Sequence, residues 1–353
     1  MEAVHPKPSE LIARRVRENS QPGARNDEYK VAQIFQGGSM RVALTSGAGM
    51  AEYQLFGGSN PIDRFDGSSS GVPPWMYILA GKRVAEGGSI PYDELSQGFI
   101  SLRNLVRHRR IVNMDLMNNA FRSGPKAFEF DNILNHPTET HVYARSVNDG
   151  RLVDFNIGQH SLDQEQGPHI ENDEYVYFCH NPEDVLKAVA ATTHLPFYGG
   201  PPVKVAKNLD CVDGGLSAAG RVPLRRAIDS GASHVFVFWT DERVSPDYRR
   251  DKYEKFAAWW LHRRHPGIGD YWLGDNEHRH TIRTINQIEQ DGGKLPLVEI
   301  VRVPGHEIPS STETDPKVIY RATLAGRMAM LKVFEPYNLP LDTTVNFPAP
   351  KQR

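Results

Sequence analysis

A chain of 353 residues in which 39% of the side chains are hydrophobic and 24% are charged has the composition of a globular protein and is long enough for one large domain. The formal net charge of -2 excludes nucleic acid as an expected partner, because neutralising many phosphates needs a surplus of lysine and arginine. The two cysteines are too few for a disulfide framework or a four-ligand zinc site. No secretory-type start and no apolar run of about 18 residues is evident, so we expect a cytoplasmic protein.

The first part of the chain alternates short apolar runs with segments of helical period, which is typical of an α/β protein. Residues 1–28 are polar and rich in charge, and we expect a loosely docked arm there. Residues 31–35 are predicted to form a buried strand and residues 43–56 a helix. A short second strand at residues 62–66 is followed by a helix at residues 75–80.

The pattern continues to the end of the chain. The further predicted strands are residues 141–147, 152–155, 234–239 and 298–303. The further predicted helices are residues 181–192, 223–230, 246–265 and 317–334. Asn181 and Pro182 are a strong helix start, and Gly231 is a typical helix end. The apolar stripe of the helix at residues 246–265 favours packing on the sheet over contact with a membrane.

These elements predict an α/β fold over residues 29–335. We expect a three-layer α/β/α sandwich with a central, mostly parallel sheet and a helical carboxyl-terminal portion packed on its side. Residues 336–353 contain Pro340, Pro348 and Pro350 and are expected to trail as a tail. The functional site should lie at the carboxyl edge of the sheet, where α/β folds place theirs.

The stretch Gly67-Ser68-Ser69-Ser70-Gly71 has the glycine-x-serine-x-glycine pattern of a nucleophile elbow. In that motif a sharp strand-to-helix turn lifts the serine hydroxyl clear of the sheet, and the glycines permit the crowded backbone. Adjacent serines are also typical of an ordinary turn. Because a predicted strand precedes the motif and a helix follows it, we expect Ser69 to be a nucleophile at a helix amino terminus.

The stretch Gln36-Gly37-Gly38-Ser39-Met40-Arg41 also lies between a predicted strand and a helix. Consecutive glycines let several backbone N–H groups point into one pocket, where they stabilise the negative oxygen of a tetrahedral intermediate. A phosphate-binding loop would end in Gly-Lys-Ser or Gly-Lys-Thr, which is missing here. A simple tight turn stays open as an alternative.

The third motif is Cys211-Val212-Asp213-Gly214-Gly215. Taken alone, an aspartate before two glycines is a common turn former. Taken with the other two motifs in this order, it resembles the patatin-like phospholipase family, in which a glycine-rich oxyanion loop precedes a glycine-x-serine-x-glycine elbow and an aspartate-glycine-glycine motif. The likeness extends from about residue 31 to residue 237.

The resemblance implies a Ser-Asp dyad in which Ser69 is the nucleophile and Asp213 its direct general base. The oxyanion hole would be formed by Gly37, Gly38, Ser39 and Arg41. The expected substrate is an acyl lipid, most simply a phospholipid or lysophospholipid ester, hydrolysed through an acyl-enzyme without a metal or an organic cofactor.

Three departures from the family pattern concern the oxyanion loop and the acyl pocket. Ser39 stands in place of the third loop glycine, which restricts the backbone angles available. Ser70 stands where an alanine is usual, and Pro73-Pro74 follow the elbow. Prolines are tolerated in a first helical turn, and here they are expected to reshape the acyl pocket.

Other interpretations of the enzyme remain. An acyltransferase would use the same acyl-enzyme, and a non-catalytic member of the fold would bind a lipid or a partner without turnover. A serine-aspartate-histidine triad would need His306, which follows a predicted strand. The apolar segments 99–105 and 111–121 are candidate walls for an acyl chain, although core packing explains them equally well.

Two further groups of charged or titratable residues are candidates for binding a metal ion or a membrane surface. The pairs His262/His265 and His278/His280 lack companions at metal-binding spacing, so no metal is predicted. The basic cluster of Arg103, Arg107, His108, Arg109 and Arg110 is either a solvated helix face or a transient contact with anionic headgroups at a membrane surface.

Overall fold

The computed structural model describes residues 5–81, 83–96, 98–101, 103–104, 106, 110–165, 167–195, 199–216, 222–241, 259, 262–263, 268, 282–285, 287 and 294–350. The helices are α1 (Pro8–Arg17), α2 (Val42–Phe56), α3 (Val72–Ala80), α4 (Val84–Ile90), α5 (Met114–Arg122), α6 (Phe130–Leu134), α7 (Pro182–Thr193), α8 (Leu224–Asp229) and α9 (Pro316–Phe334). The strands are β1 (Val31–Phe35), β2 (Arg64–Ser68), β3 (Glu139–Ser146), β4 (Leu152–Ile157), β5 (Gly167–Glu171), β6 (Glu174–Phe178), β7 (Val203–Ala206), β8 (Leu209–Asp213), β9 (His234–Trp239) and β10 (Leu297–Arg302). The chain is an α/β protein, as predicted.

The elements predicted from strong local signals are confirmed, with ends within three residues of those expected. The Asn181 side chain accepts the Asp184 backbone N–H at the start of α7, and the Asp315 side chain accepts that of Lys317 at the start of α9. These bonds satisfy amides that a helix start leaves without partners. The helix predicted at residues 246–265 lies almost entirely outside the described residues.

The ten strands form one mixed sheet in the order β10-β9-β1-β2-β3-β4-β6-β5, with β8 paired to both β3 and β7. From β10 to β3 the neighbouring strands are parallel. Beyond β3 the pairs β3-β4, β3-β8, β5-β6 and β7-β8 are antiparallel, and β4-β6 is parallel. The prediction of a mostly parallel sheet therefore fits only one half of it.

Short hairpins explain the difference in the second half. Between β5 and β6, Asn172 and Asp173 have φ of 48° and 66°, the two positive angles that a tight two-residue hairpin turn requires. β5 carries no apolar run, whereas β6 has four consecutive residues, 175–178, of types that favour a strand. Neither strand was predicted.

Strand β3 is shared by two strands that lie end to end along the same side of it. Ser68, the last residue of β2, is paired with Tyr143, and Asp213, the last residue of β8, is paired with the next residue, Ala144. Because β2 runs parallel to β3 and β8 runs antiparallel, the carboxyl ends of β2 and β8 meet head-on.

Apolar clusters cover both faces of the parallel half of the sheet. Phe35 of β1 and Phe236 of β9 belong to the large cluster that includes α2 and α9. Ile34 and Val235 belong to a second cluster with Leu224 of α8. Since successive residues of a strand point to opposite faces, the sheet is enclosed between two layers, as a sandwich requires.

Two glycines let α9 pack closely on α2. A Cβ at Gly47 of α2 would overlap the carbonyl oxygen of Thr323, and a Cβ at Gly326 of α9 would overlap that of Leu44. This reciprocal contact fixes α2, whose amino end carries the glycine-rich loop at residues 36–41. The predicted helical packing of the carboxyl-terminal portion is confirmed by this interface.

The amino-terminal segment differs from the expected loosely docked arm. Helix α1 buries Leu11 and Ile12 completely, and Arg15 is 0% exposed. The Arg15 guanidinium donates to Asp27, to Asp63 and to the carbonyl oxygens of Tyr29 and Pro61. The polar composition predicts a loosely docked arm, but the charged Arg15 finds its partners inside the protein. Composition alone does not show where the partners of a charged side chain lie.

The last residues are also docked rather than trailing. The ring of Phe347 lies against Gly88 of α4, the Tyr92 hydroxyl donates to the carbonyl oxygen of Pro348 at 2.9 Å, and Gln54 of α2 donates to the carbonyl oxygen of Val345. The segment therefore braces the outer side of α4 and of the helical turn that follows it.

A buried carboxyl group that the sequence analysis did not single out lies between α2 and β1. Glu52 is 0% exposed and accepts a hydrogen bond from the Gln33 side-chain amide. Burial raises the pKa of Glu52 to about 8, although the bond from Gln33 acts in the opposite direction. At neutral pH the native protein therefore keeps Glu52 largely protonated.

We predict that Arg15→Met lowers the free energy of unfolding by about 3–5 kcal/mol, because Asp27 loses its buried cation, whereas Asp63 keeps its ion pair with Arg25. Urea unfolding measures the loss. Arg17→Met on the same helix is the matched control, since Arg17 is exposed and, among the described residues, donates only to the Tyr337 carbonyl oxygen. Equal effects of the two substitutions would contradict the role assigned to Arg15.

We predict that Glu52→Gln makes stability less dependent on pH. The native state holds a proton that the unfolded chain releases above its ordinary pKa of 4.5, so the wild type loses stability as pH rises from about 4.5 to 8. Melting temperatures measured across this range should fall for the wild type and change much less for Glu52→Gln. Glu86→Gln, which removes an exposed carboxylate of α4, should behave as the wild type does.

Candidate active site

Ser69 lies where β2 ends and α3 approaches. Its φ is 55°, a left-handed conformation that is strained for a residue with a side chain. A short 3-10 turn, Ser69–Gly71, connects it to α3. This is the strand-turn-helix geometry predicted for a nucleophile elbow.

The Ser69 hydroxyl donates a hydrogen bond to the Asp213 carboxylate. The Oγ to Oδ2 distance is 2.6 Å, across 144 positions of sequence. The structure thus brings together the two residues that the sequence motifs singled out, and it does so through the head-on meeting of β2 and β8. A carboxylate at this distance can accept the serine proton directly.

Asp213 is 2% exposed, and hydrogen bonds hold both its backbone and its side chain. Its backbone N–H donates to the carbonyl oxygen of His194 at 2.9 Å. Its Oδ1 accepts the Gly215 N–H at 2.7 Å, while Oδ2 faces Ser69. Contacts within the protein therefore orient the carboxylate toward Ser69.

The glycine-rich loop packs directly against Ser69. A Cβ at Gly37 would lie 2.6 Å from the Ser69 Cβ and 2.9 Å from the Ser68 carbonyl oxygen, so only glycine fits. Ser39 has a φ of 55°, a left-handed conformation that glycine adopts more easily. The serine that replaces the third loop glycine therefore adopts this conformation despite its side chain. Within the described part of the chain, the amides of Gly37 and Ser39 donate to no protein acceptor.

Two of the predicted oxyanion residues have other partners. The Gly38 N–H donates to the Ser70 Oγ at 2.9 Å, so the serine that replaces the usual alanine occupies this amide. The Arg41 guanidinium forms an ion pair with Asp241 at 3.1 Å. Arg41 thereby ties the loop to the residues that follow β9.

The other motif glycines allow close packing around the dyad. A Cβ at Gly71 would overlap the carbonyl oxygen of Phe35, and one at Gly214 would overlap that of Tyr143. At Gly67 the added atom would meet the Phe65 ring. At Gly215 it would lie 3.0 Å from the Asp213 Oδ1 and 3.4 Å from the Ser69 Cβ.

The carboxyl end of α7 contacts both members of the dyad and was not predicted. The Thr192 Oγ1 accepts the Ser69 backbone N–H at 2.7 Å and donates to the Tyr143 carbonyl oxygen at 2.6 Å. Two residues later, the His194 carbonyl binds the Asp213 amide. No sequence motif marks this segment, because a threonine near a helix end is ordinary in composition.

A mainly apolar cavity opens onto the Ser69 and Asp213 side chains. The other residues that line it are Ser39, Met40, Val42, Ser46, Ser70, Pro73, Pro74, Tyr77, Gly87, Ile90, Pro91, Leu95, Phe99, Val112, Met117, Phe121, Thr193 and Leu195. Burial raises the pKa of the Tyr77 phenol, so Asp213 is the one charged side chain among the described residues of the wall. The proline pair and parts of both predicted acyl-chain segments are present in this wall.

The free volume inside the cavity is about 50 Å³. That is room for about four water molecules, at roughly 10–15 Å³ each.

The remaining candidate residues lie elsewhere. His306 has a side chain that is 79% exposed and faces Glu307, and it does not line the cavity, so the triad interpretation loses its histidine. Of the two histidine pairs only His262 is among the described residues, and residues 265, 278 and 280 lie outside them. Residues 107–109 of the basic cluster also lie outside the described residues. Arg110 forms an ion pair with Asp115.

Among the residues that the structure describes, no three His, Cys, Asp or Glu side chains gather where they could hold a metal ion. Among the same residues, none of the helices combines the length and the apolar character needed to cross a bilayer.

The fold and site together define an α/β protein in which a serine on a strained turn is hydrogen-bonded to a buried aspartate beside an apolar cavity. Known protein-family models and curated proteins give no match to this chain.

Proposed function

We propose that this protein is a serine acyl hydrolase with the fold and dyad of the patatin-like phospholipases. The observation that carries the proposal is the 2.6 Å hydrogen bond from Ser69 Oγ to Asp213 Oδ2. A serine hydroxyl is a weak nucleophile unless a neighbouring group takes its proton, and Asp213 Oδ2 is the acceptor in contact with it.

The reaction would begin when Ser69 Oγ attacks the carbonyl carbon of an ester and its proton passes to Asp213. The carbonyl oxygen becomes negative and is stabilised by loop amides. Those of Gly37 and Ser39 donate to no acceptor among the residues that the structure describes. Asp213 then protonates the departing alcohol as the carbon-oxygen bond breaks. An acyl group remains on Ser69.

Water would then release the acyl group from Ser69 in an equivalent second step. Asp213 takes a proton from the water as its oxygen attacks the acyl-enzyme, and the carboxylic acid leaves as Ser69 regains its proton. The aspartate is a weaker base than a histidine. Much of the rate must therefore come from the oxyanion loop.

The walls of the cavity favour an uncharged acyl chain as the group transferred. Apart from Asp213, none of the described residues that line the cavity has an ionised side chain. Apolar walls exclude a charged headgroup because its desolvation is costly. The headgroup or alcohol would then face the open side of the site. The free volume of about 50 Å³ favours esters whose acyl chain is short or enters only partly.

We predict that a fluorophosphonate probe labels the wild type and that Ser69→Ala abolishes labelling. Release of fatty acid from a mixed panel of esters and phospholipids should fall to background in Ser69→Ala. It should fall by about 10²–10⁴-fold in Asp213→Asn, because general base catalysis is lost. Products should be separated, so that acyl transfer to an added alcohol or amine is distinguished from hydrolysis.

Asp210→Asn is the matched control for the aspartate, since Asp210 lies on the same strand and its carboxylate is not part of the cavity. It should retain wild-type rates. Labelling that persists in Ser69→Ala would sink the proposal, and a wild type that binds lipids but is never labelled would favour a binding protein.

We predict that Ser70→Ala raises kcat by up to about tenfold. The Ser70 hydroxyl holds the Gly38 N–H, and breaking one such bond to free the amide costs about 0.5–1.5 kcal/mol. Ser46→Ala, which alters another serine of the cavity wall, should leave kcat unchanged. A lower kcat in Ser70→Ala would instead mean that the hydroxyl itself donates to the substrate oxygen.

A further inference from the structure

The carboxyl end of α7 holds the two reacting residues by separate hydrogen bonds. Thr192 binds the amide of Ser69 through its side chain, whereas His194 binds the amide of Asp213 through its backbone. Both bonds come from residues only two positions apart. One short, buried segment is therefore bonded to the backbones of both Ser69 and Asp213.

The hydroxyl of Thr192 does not make the bond that a helical threonine normally makes. Its neighbour Thr193 donates to the Val189 carbonyl oxygen, four residues back in the same helix, which is the usual local bond. Thr192 instead donates to Tyr143 of β3 at 2.6 Å. Its oxygen is then left to accept the Ser69 N–H at 2.7 Å.

The location explains why both partners need this hydroxyl. The β2 ladder on β3 ends at the Ser68 and Tyr143 pair, and the β8 ladder begins at the Asp213 and Ala144 pair. The Tyr143 carbonyl and the Ser69 amide lie in the gap between the two ladders. Thr192 is 0% exposed, so water does not replace it without rearrangement, and an unpaired buried amide or carbonyl would be costly.

Ser69 also needs support because its backbone is strained. A φ of 55° in a residue other than glycine costs of order 1–3 kcal/mol and persists only where surrounding contacts impose it. Relaxation of φ would rotate the Cα–Cβ bond and swing Oγ away from Asp213. The hydrogen bond from the Ser69 backbone N–H to the Thr192 hydroxyl opposes that rotation directly.

We infer that Thr192 is a positioning residue, whose hydroxyl fixes the Ser69 backbone so that Oγ faces Asp213 Oδ2. The inference rests on the proposed function for its catalytic consequence. Threonine suits the task because a β-branched side chain in a helix has few χ1 rotamers. A single hydroxyl can both accept from Ser69 and donate to Tyr143, as neither a valine nor an alanine can.

The test compares Thr192→Val, which keeps the shape and removes the hydroxyl, with Thr192→Ser, which keeps the hydroxyl. Thr323→Val is the matched control, because Thr323 is also 0% exposed but donates only within its own helix, to Ile319. The measurements are the rate of fluorophosphonate labelling at Ser69, kcat and KM for a short-chain ester, melting temperature, and hydrogen exchange of the Ser69 amide by NMR.

We expect Thr192→Val to lower the labelling rate and kcat by about 100-fold, the scale of loss for a misplacement near 1 Å, with KM within about twofold. Ser69 amide protection should be lost. Thr192→Ser should stay within about threefold of the wild type on each measure. Thr323→Val should lower the melting temperature as Thr192→Val does while keeping its labelling rate.

Labelling of Thr192→Val at the wild-type rate would overturn the inference, and so would equal losses in Thr323→Val. A wild type that is not labelled at all defeats the proposed hydrolase instead. In that case the amide exchange decides: protection lost in Thr192→Val and kept in Thr192→Ser supports the positioning of Ser69, whereas unchanged protection rejects it.

Discussion

The meeting of two strand ends on β3 is the constraint on which the site depends. Strand β2 runs parallel to β3 and β8 runs antiparallel to it, and the two strands end opposite neighbouring residues of β3. Ser69, which directly follows β2, therefore faces Asp213, the last residue of β8. No loop needs to reach across the fold, so the 2.6 Å contact between Ser69 and Asp213 is a property of the sheet register itself.

The surroundings of this meeting point act mainly by excluding alternatives. Side chains are missing at Gly37 and Gly214 because the Ser69 Cβ and the Tyr143 carbonyl already occupy the space. Asp213 uses one carboxylate oxygen for Gly215, which leaves one orientation for the other. The larger frame works in the same way, since Arg15 and the close contact of α2 with α9 hold the elements that carry the loop. Rigidity is thus distributed over elements that never touch the reacting atoms.

Local sequence signals predicted the elements whose causes are local. Apolar runs predicted β1 and β9, and Asn181 with Pro182 predicted the start of α7. Motif order singled out Ser69 and Asp213, although their contact spans 144 positions. The docking of α1 could not be predicted, because burial of Arg15 depends on partners supplied by tertiary structure. The hydrogen bonds of Thr192 and the bond between Ser70 and Gly38 could not be predicted either. The partners of these hydroxyl groups are set by the tertiary structure and not by the neighbouring sequence.

The order of the strands has a consequence for how the protein is made. The site needs β2, β3 and β8, and β8 is synthesised last, after the hairpin of β5 and β6 and the whole of α7. Contacts between such distant segments form late and slowly during folding. A nascent chain released before residue 213 would contain the serine and its elbow but no acceptor for the serine proton. The hydrogen bond between Ser69 and Asp213 therefore forms only after the whole of β8 has been made.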